Sequence, residues 1–271
     1  MKGECEVDTS SLTPPSKIKR SYNNGIAEYK LKKNGIDDGV VPKLSYKFKD
    51  KNIKLTPDRL SATGYKGWSS VFCTHCACTG KWYYEVKINQ DYKNLKFVGH
   101  DNSFKHQIKG HVRVGYACRY QRYDTPVGIN SYGFSISDID GKACYNSKKY
   151  PYATSFSVGD VIGCYLSLEI PTTDFHDPRG DLKLYEFLRD GVLCDPKNIP
   201  PSRTNPNSFT QFSINGKLYD KLDIDVYDGY YHPAISLYMG ASITINLGPN
   251  FVYKPPEEYK PCCLMDKPII N

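Results

Sequence analysis

An all-β fold is what this sequence predicts, and three observations carry the reading. Short runs of residues either alternate apolar with polar or are apolar throughout, and each is closed by Gly, Pro, Asn or Asp. No long stretch repeats its apolar residues at helical spacing. Tyrosine and phenylalanine, at 23 and 11 copies, are abundant, and both suit a pleated, half-buried surface. Many short strands with frequent turn signals specify a sandwich or a barrel.

The elements follow in order. Residues 1–42 hold "SSLTPPSKIKR", "NNG" and "KKNGIDDG", the composition of a flexible N-terminal tail. From "KLSYKFKDKNIKL" onward the pattern changes, and strands are expected near 43–49 and 53–56. Further strands are expected near 68–74, 80–88, 112–119, 131–137, 160–168, 182–188, 208–214, 231–238 and 241–247. Asn215–Gly216 has the composition of a two-residue hairpin turn. Two polar stretches, about 89–110 and 169–207, interrupt the rhythm as insertions, the first of them basic. Residues 261–271 read as a C-terminal tail.

Composition narrows the function classes. The chain has 271 residues and a formal net charge of +7, which permits an acidic partner without requiring one. Its 10 cysteines are scattered, unlike a secreted disulfide scaffold, and no apolar signal segment opens the sequence. A reduced compartment, cytosol or nucleus, is expected. No run reaches the ~18 apolar residues of a spanning helix, so no membrane contact is expected. The signatures of nucleotide loops, nucleophile elbows and zinc proteases are missing. No catalytic residue, no cofactor and no enzyme activity are expected. "CTHCAC" offers Cys73 and Cys76 at zinc-like spacing, but a second pair is lacking, because the adjacent Cys262 and Cys263 chelate one ion poorly. The expectation is no metal site.

"HVRVGYA", 111–117, raises the sharpest question. Alternation puts Val112, Val114 and Tyr116 on one face and Arg113 on the other, beside Gly115. A mid-strand arginine is either a solvated charge or a binding group for something acidic, since guanidinium grips carboxylates bidentately. On the second view Gly115 leaves room for a ligand backbone to approach. Lys93, Lys96, Lys105 and Lys109 have no role in the strand pattern, and are either solvated loop charge or, on the family resemblance that the motifs below carry, a nucleosomal DNA contact.

The phrases "DRLSATGYKGWSSV", "GKWYYEVKI", "RVGYA", "PVGINSYGFS", "SVGDVIGCYLSLE", "YYHPAISLYMGASITINLGPNF" and "VYKPPEEYKP" follow one another in the order of a SPRY domain. The chain resembles, over residues 43–260, the SPRY domain of the Ash-two/Bre-two family, subunits of COMPASS-type histone methyltransferase complexes. "LGPNFVYKPP", "PVG" and the long excursion after "CYLSLE" carry that closer likeness. The resemblance implies a SPRY (concanavalin-like) β-sandwich and a nuclear scaffold. It implies binding to an acidic segment of a WD-repeat subunit resembling retinoblastoma-binding protein five, and stimulation of a SET-domain methyltransferase acting on lysine four of histone three. Arg113 falls on the family's pocket arginine, Pro126 on its pocket proline, and Trp68 where the family usually has tyrosine. Ile129 stands where the family has an aromatic. Ser137, Asp138 and Asp140 stand near its basic strand end, and their charge opposes an acidic ligand. Arg119 and Arg122 are expected to supply the missing positive charge. The C-terminal helix that docks a dumpy-thirty-type subunit has no counterpart in "EEYKPCCLMDKPIIN". The alternative is a SPRY peptide-binding adaptor of the Ran-binding or ubiquitin-ligase receptor type.

Overall fold

"GKWYYEVKI" shows how alternation builds this molecule. Trp82, Tyr84, Val86 and Ile88 point into the space between two sheets, while Lys81, Tyr83, Glu85 and Lys87 point away from it. A computed structural model of the chain describes residues 41–89, 109–171 and 203–266.

The described residues form two antiparallel sheets packed face to face. The first runs β1 (Leu44–Lys49), β4 (Ser69–Cys73), β13 (His232–Tyr238), β6 (His111–Ala117), β7 (Gly133–Ser137), β8 (Ala143–Tyr145), β9 (Lys148–Tyr150). The second runs β12 (Lys217–Leu218), β11 (Phe209–Ile214), β10 (Val161–Leu168), β5 (Gly80–Ile88), β14 (Ser242–Asn246), β3 (Ser61–Gly64), β2 (Ile53–Leu55). A further strand, β15 (Lys260–Pro261), lies parallel to β5 at Trp82 and Tyr83. Val71, Val114, Phe134, Ile136, Ile235 and Leu237 of the first sheet meet Tyr84, Val86, Ile162, Leu166, Phe212, Ile243 and Ile245 of the second, all buried. This apolar contact is the main stabilising term, at about 25 cal/mol per Å² removed from water.

Both outer faces are partly covered. Over the second sheet, Phe251 and Tyr259 pack on Tyr83 and Tyr165. Glu85, only 1% exposed, anchors this covering segment. Its Oε1 accepts Tyr253 N–H at 2.7 Å and its Oε2 accepts Val252 N–H at 2.9 Å. Over the first sheet, Phe48, Phe72, Ala117, Val127 and Ala234 form a second small apolar layer.

Ten expected strands are present within a few residues of their expected ends, and the one at 182–188 lies outside the described residues. The hairpin turn at Asn215–Gly216 is present, with φ of 50° and 80°. The C-terminal tail expected from 261 is corrected in part. Residues 260–266 belong to the sandwich, because β15 extends the sheet, Cys262 and Met265 are buried, and Cys76 bridges Asp266.

The room expected at Gly115 is also corrected. A Cβ there would stand 1.9 Å from the carbonyl oxygen of Phe134 in β7, so the space belongs to the neighbouring strand and not to a ligand. Gly115→Ala must push β6 and β7 apart, and is expected to cost upwards of about 2 kcal/mol. Chemical denaturation of both proteins measures it.

Candidate functional site

Arg113 occupies the middle of the first sheet's outer face, in a row with Ser70, Ser236 and Ser137 of the adjoining strands. Ser70 and Ser236 of this row, with Ser135 of β7, hold a loop down on the sheet. Ser70 Oγ donates to Thr125 O at 2.5 Å, Ser236 Oγ accepts Val127 N–H at 2.7 Å, and Ser135 Oγ donates to Val127 O at 2.8 Å. Short hydroxyls suit this layer, since each reaches a backbone group without spacing the loop away.

The Arg113 side chain runs between this loop and an aromatic wall. Its Nη1 donates to Val127 O at 3.4 Å, a long contact, and its Cζ lies 5.0 Å from the Trp68 ring centre. Trp68 packs on Tyr238 at 5.4 Å between centroids, and Tyr238 stacks on His111 at 6.0 Å. Arg113 Nε is buried without an acceptor, and so is the neighbouring Ser137 Oγ without a partner. No carboxylate among the described residues pairs with this guanidinium. A buried donor without an acceptor is a costly group. The arrangement can therefore take an anionic oxygen, held by guanidinium and flanked by aromatic surface.

The acidic stretch at 138–140 is compensated within the protein. Asp138 Oδ2 stands 3.1 Å from His111 Nδ1, and Oδ1 accepts Val112 N–H at 3.0 Å. Burial pushes the Asp138 carboxyl up, with these two bonds opposing it. Asp140 pairs with Lys149 at 3.4 Å and Lys142 at 3.6 Å. The expected repulsion of an acidic ligand is thus weakened by partners that the local sequence does not reveal.

Of the expected site residues, Arg113 and Trp68 are brought together, and Pro126 precedes the residue whose carbonyl Arg113 touches. Ile129 is 39% exposed on the same loop. Arg119 Cζ sits 4.3 Å over the Phe48 ring. Arg122 forms a two-pronged bond with Asp124, through Nε to Oδ1 at 2.8 Å and Nη2 to Oδ2 at 2.5 Å. That pairing holds the Asp124 carboxyl below the usual carboxylate range and largely cancels the expected attraction from Arg122. Lys109 is exposed, while Lys93, Lys96 and Lys105 lie outside the described residues. Cys73 is a core residue whose thiol burial pushes up, and Cys76 N–H donates to Asp266 O at 3.1 Å. Among the described residues, no three His, Cys, Asp or Glu gather as a metal site. The roles of His111, Tyr238, Ser70 and Ser236 went unread in the sequence. The serines in "SSV" and "AISL", placed in otherwise apolar strands, were the available signal.

Residues 81–187 match the family model of the SPRY domain. The chain is 27% identical over 210 residues to the Set1/Ash2 histone methyltransferase complex subunit ASH2 of Drosophila melanogaster, covering 74% of this chain and 34% of that protein. It is 28% identical over 239 residues to the Set1 complex component ash2 of Schizosaccharomyces pombe, covering 72% and 34%. The chain thus spans about a third of the length of these curated relatives. Among solved structures, the SPRY domain of human HERC1 matches at a TM-score of 0.49 and 14% identity, over 75% of this chain and 96% of that one. The chain carries a SPRY domain, and its curated homologues are Ash2-type components of Set1 and COMPASS complexes.

Proposed function

We propose that this protein is a non-catalytic, nuclear scaffold subunit of a histone three lysine-four methyltransferase complex. It binds an Asp/Glu-rich segment of a WD-repeat partner and stimulates the SET-domain enzyme. One observation carries the binding role: Arg113 is a half-buried guanidinium beside Trp68, with a buried Nε that has no acceptor and no carboxylate partner among the described residues. The relatives support the setting, since they are named as subunits of histone methyltransferase and COMPASS complexes. A carboxylate on Arg113 would gain a charge-assisted bond in a site where Trp68 and the Thr125–Val127 loop limit water. Trp68 and Pro126 form the apolar side of the contact, and Ile129 its outer rim.

Reconstitution tests the role. This chain alone is expected to transfer no methyl group to histone three. Adding it to a SET-domain subunit together with the WD-repeat partner is expected to raise methylation, and adding it without that partner is not. Methyl transfer by this chain alone, or no stimulation of the three-part assembly, would reject the proposal.

A further inference from the structure

The site has two sides, and they differ in charge. On one side the carboxylates of Asp138 and Asp140 are already bound to His111, Lys142 and Lys149. On the other side lies the Trp68 wall, next to the loops that carry Lys51 and Lys66. Residues 43–66 carry seven basic side chains against the two acidic ones, Asp50 and Asp58, a surplus of five in a chain of net +7.

Backbone and side-chain bonds bring part of this surplus to the pocket. Tyr65 N–H donates to Asn52 O at 3.0 Å, joining the 65–67 loop to the 50–52 turn. Asp50 Oδ1 accepts from Ser69 Oγ at 3.1 Å, tying the same turn to the start of β4, directly after Trp68. Met239 N–H donates to Lys66 O at 2.7 Å, beside Tyr238, which packs on Trp68. Lys51 and Lys66 are therefore carried on two loops stitched to each other and to the aromatic wall. Both are exposed, and neither has a carboxylate partner among the described residues. Tyr65, 39% exposed, precedes Lys66 on the loop that is bonded to the 50–52 turn.

We propose that Lys51, Lys66 and Tyr65 form a second, contiguous part of the binding surface, which takes the flanking carboxylates of the acidic segment anchored at Arg113. The proposal rests on the reading of Arg113 as a carboxylate anchor. It adds a direction, because an acidic segment leaving the pocket meets compensated carboxylates one way and unpaired lysines the other. The fit favours an extended acidic peptide over duplex DNA. Arg113 offers one half-buried guanidinium beside the Trp68 ring, a single point of charge that suits a carboxylate side chain better than the evenly spaced phosphates of a duplex.

The test uses the full chain, two fluorescent Asp/Glu-rich peptides and a duplex DNA probe. The short peptide has about six residues, at most about 20 Å when extended, and the long one about sixteen. K51E/K66E is expected to weaken the long peptide about tenfold at low salt, a loss that shrinks as salt is added. The short peptide should change by less than about twofold, and the melting temperature should hold, since both lysines are exposed. Equal affinity of K51E/K66E and wild type for the long peptide would overturn the proposal, and so would equal weakening of both peptides. Loss of duplex binding with the long peptide unaffected would overturn it in favour of a nucleic-acid surface. If wild type binds neither peptide, or Arg113→Ala binds the short one as wild type does, the anchor reading fails and the lysine proposal falls with it. If the anchor holds and only the K51E/K66E effect is missing, the lysine proposal alone is wrong.

Discussion

Arg113→Ala is expected to weaken binding of an Asp/Glu-rich partner peptide by about 2–4 kcal/mol, with the change mainly in dissociation rate. Much of that loss comes from leaving the peptide carboxylate unpaired beside Trp68. The folded protein should lose less than about 1 kcal/mol, because among the described residues Arg113 makes one long hydrogen bond and one ring contact. Arg113→Lys should recover only part of the affinity, since an ammonium cannot reproduce the planar fork. Calorimetric titration gives the binding loss, and thermal melts of the same samples give the stability. Equal affinity in wild type and Arg113→Ala would make Arg113 a surface charge. A collapsed melting temperature would make it structural.

The largest stability effect is expected at Glu85. Four donors converge on this buried carboxylate: the N–H groups of Val252 and Tyr253, Asn246 Nδ2 at 3.1 Å and the Tyr83 hydroxyl at 3.1 Å. No cation pairs with it among the described residues, so its partners there are hydrogen-bond donors. Glu85→Ala leaves the Val252 and Tyr253 N–H groups without their acceptor and loosens the segment that carries Phe251 and Tyr259 onto Tyr83 and Tyr165. The expected cost is about 3–5 kcal/mol. In a domain of this size that lowers the melting temperature by roughly ten degrees. Glu85→Gln should fall between, because its amide nitrogen presents a donor to a donor. Lys87→Ala, an exposed position on the same strand face, should be near neutral. A Glu85→Ala protein as stable as wild type would show that the covering segment contributes little.

These two residues mark how much the sequence reveals. Strand alternation located the sheets, and the motif order located Arg113, because both are local patterns. The short strands β3, β8, β9 and β12 were missed. "SATG" and "ACYNSKKY" are rich in small, polar and turn-forming residues, and become strands only because a neighbour supplies the ladder partner. Glu85 reads as a solvent-facing charge, since it alternates with core residues and nothing nearby in sequence announces the segment 167 residues later that buries it. Gly115 reads as a vacancy because the strand beside it is invisible in one dimension. Arg122 reads as a free cation, although its partner stands only two residues away, because side-chain direction in a turn is not periodic. Lys66 and Lys51 are separated in sequence by two strands and joined only by backbone bonds between loops.

The position of β13 sets a timetable for synthesis. It is the strand inserted between β4 and β6, so those two present unpaired edges towards each other until residues 232–238 exist. The same holds in the other sheet, where β5 waits for β14 and β15. At roughly 5–20 residues per second, a ribosome takes on the order of ten to thirty seconds to go from β4 to β13. Throughout that interval the nascent chain displays long apolar strands with open hydrogen-bonding edges, the features that recruit chaperones or seed aggregation. Closure then comes late, when residues 232–261 supply the strands that complete both sheets.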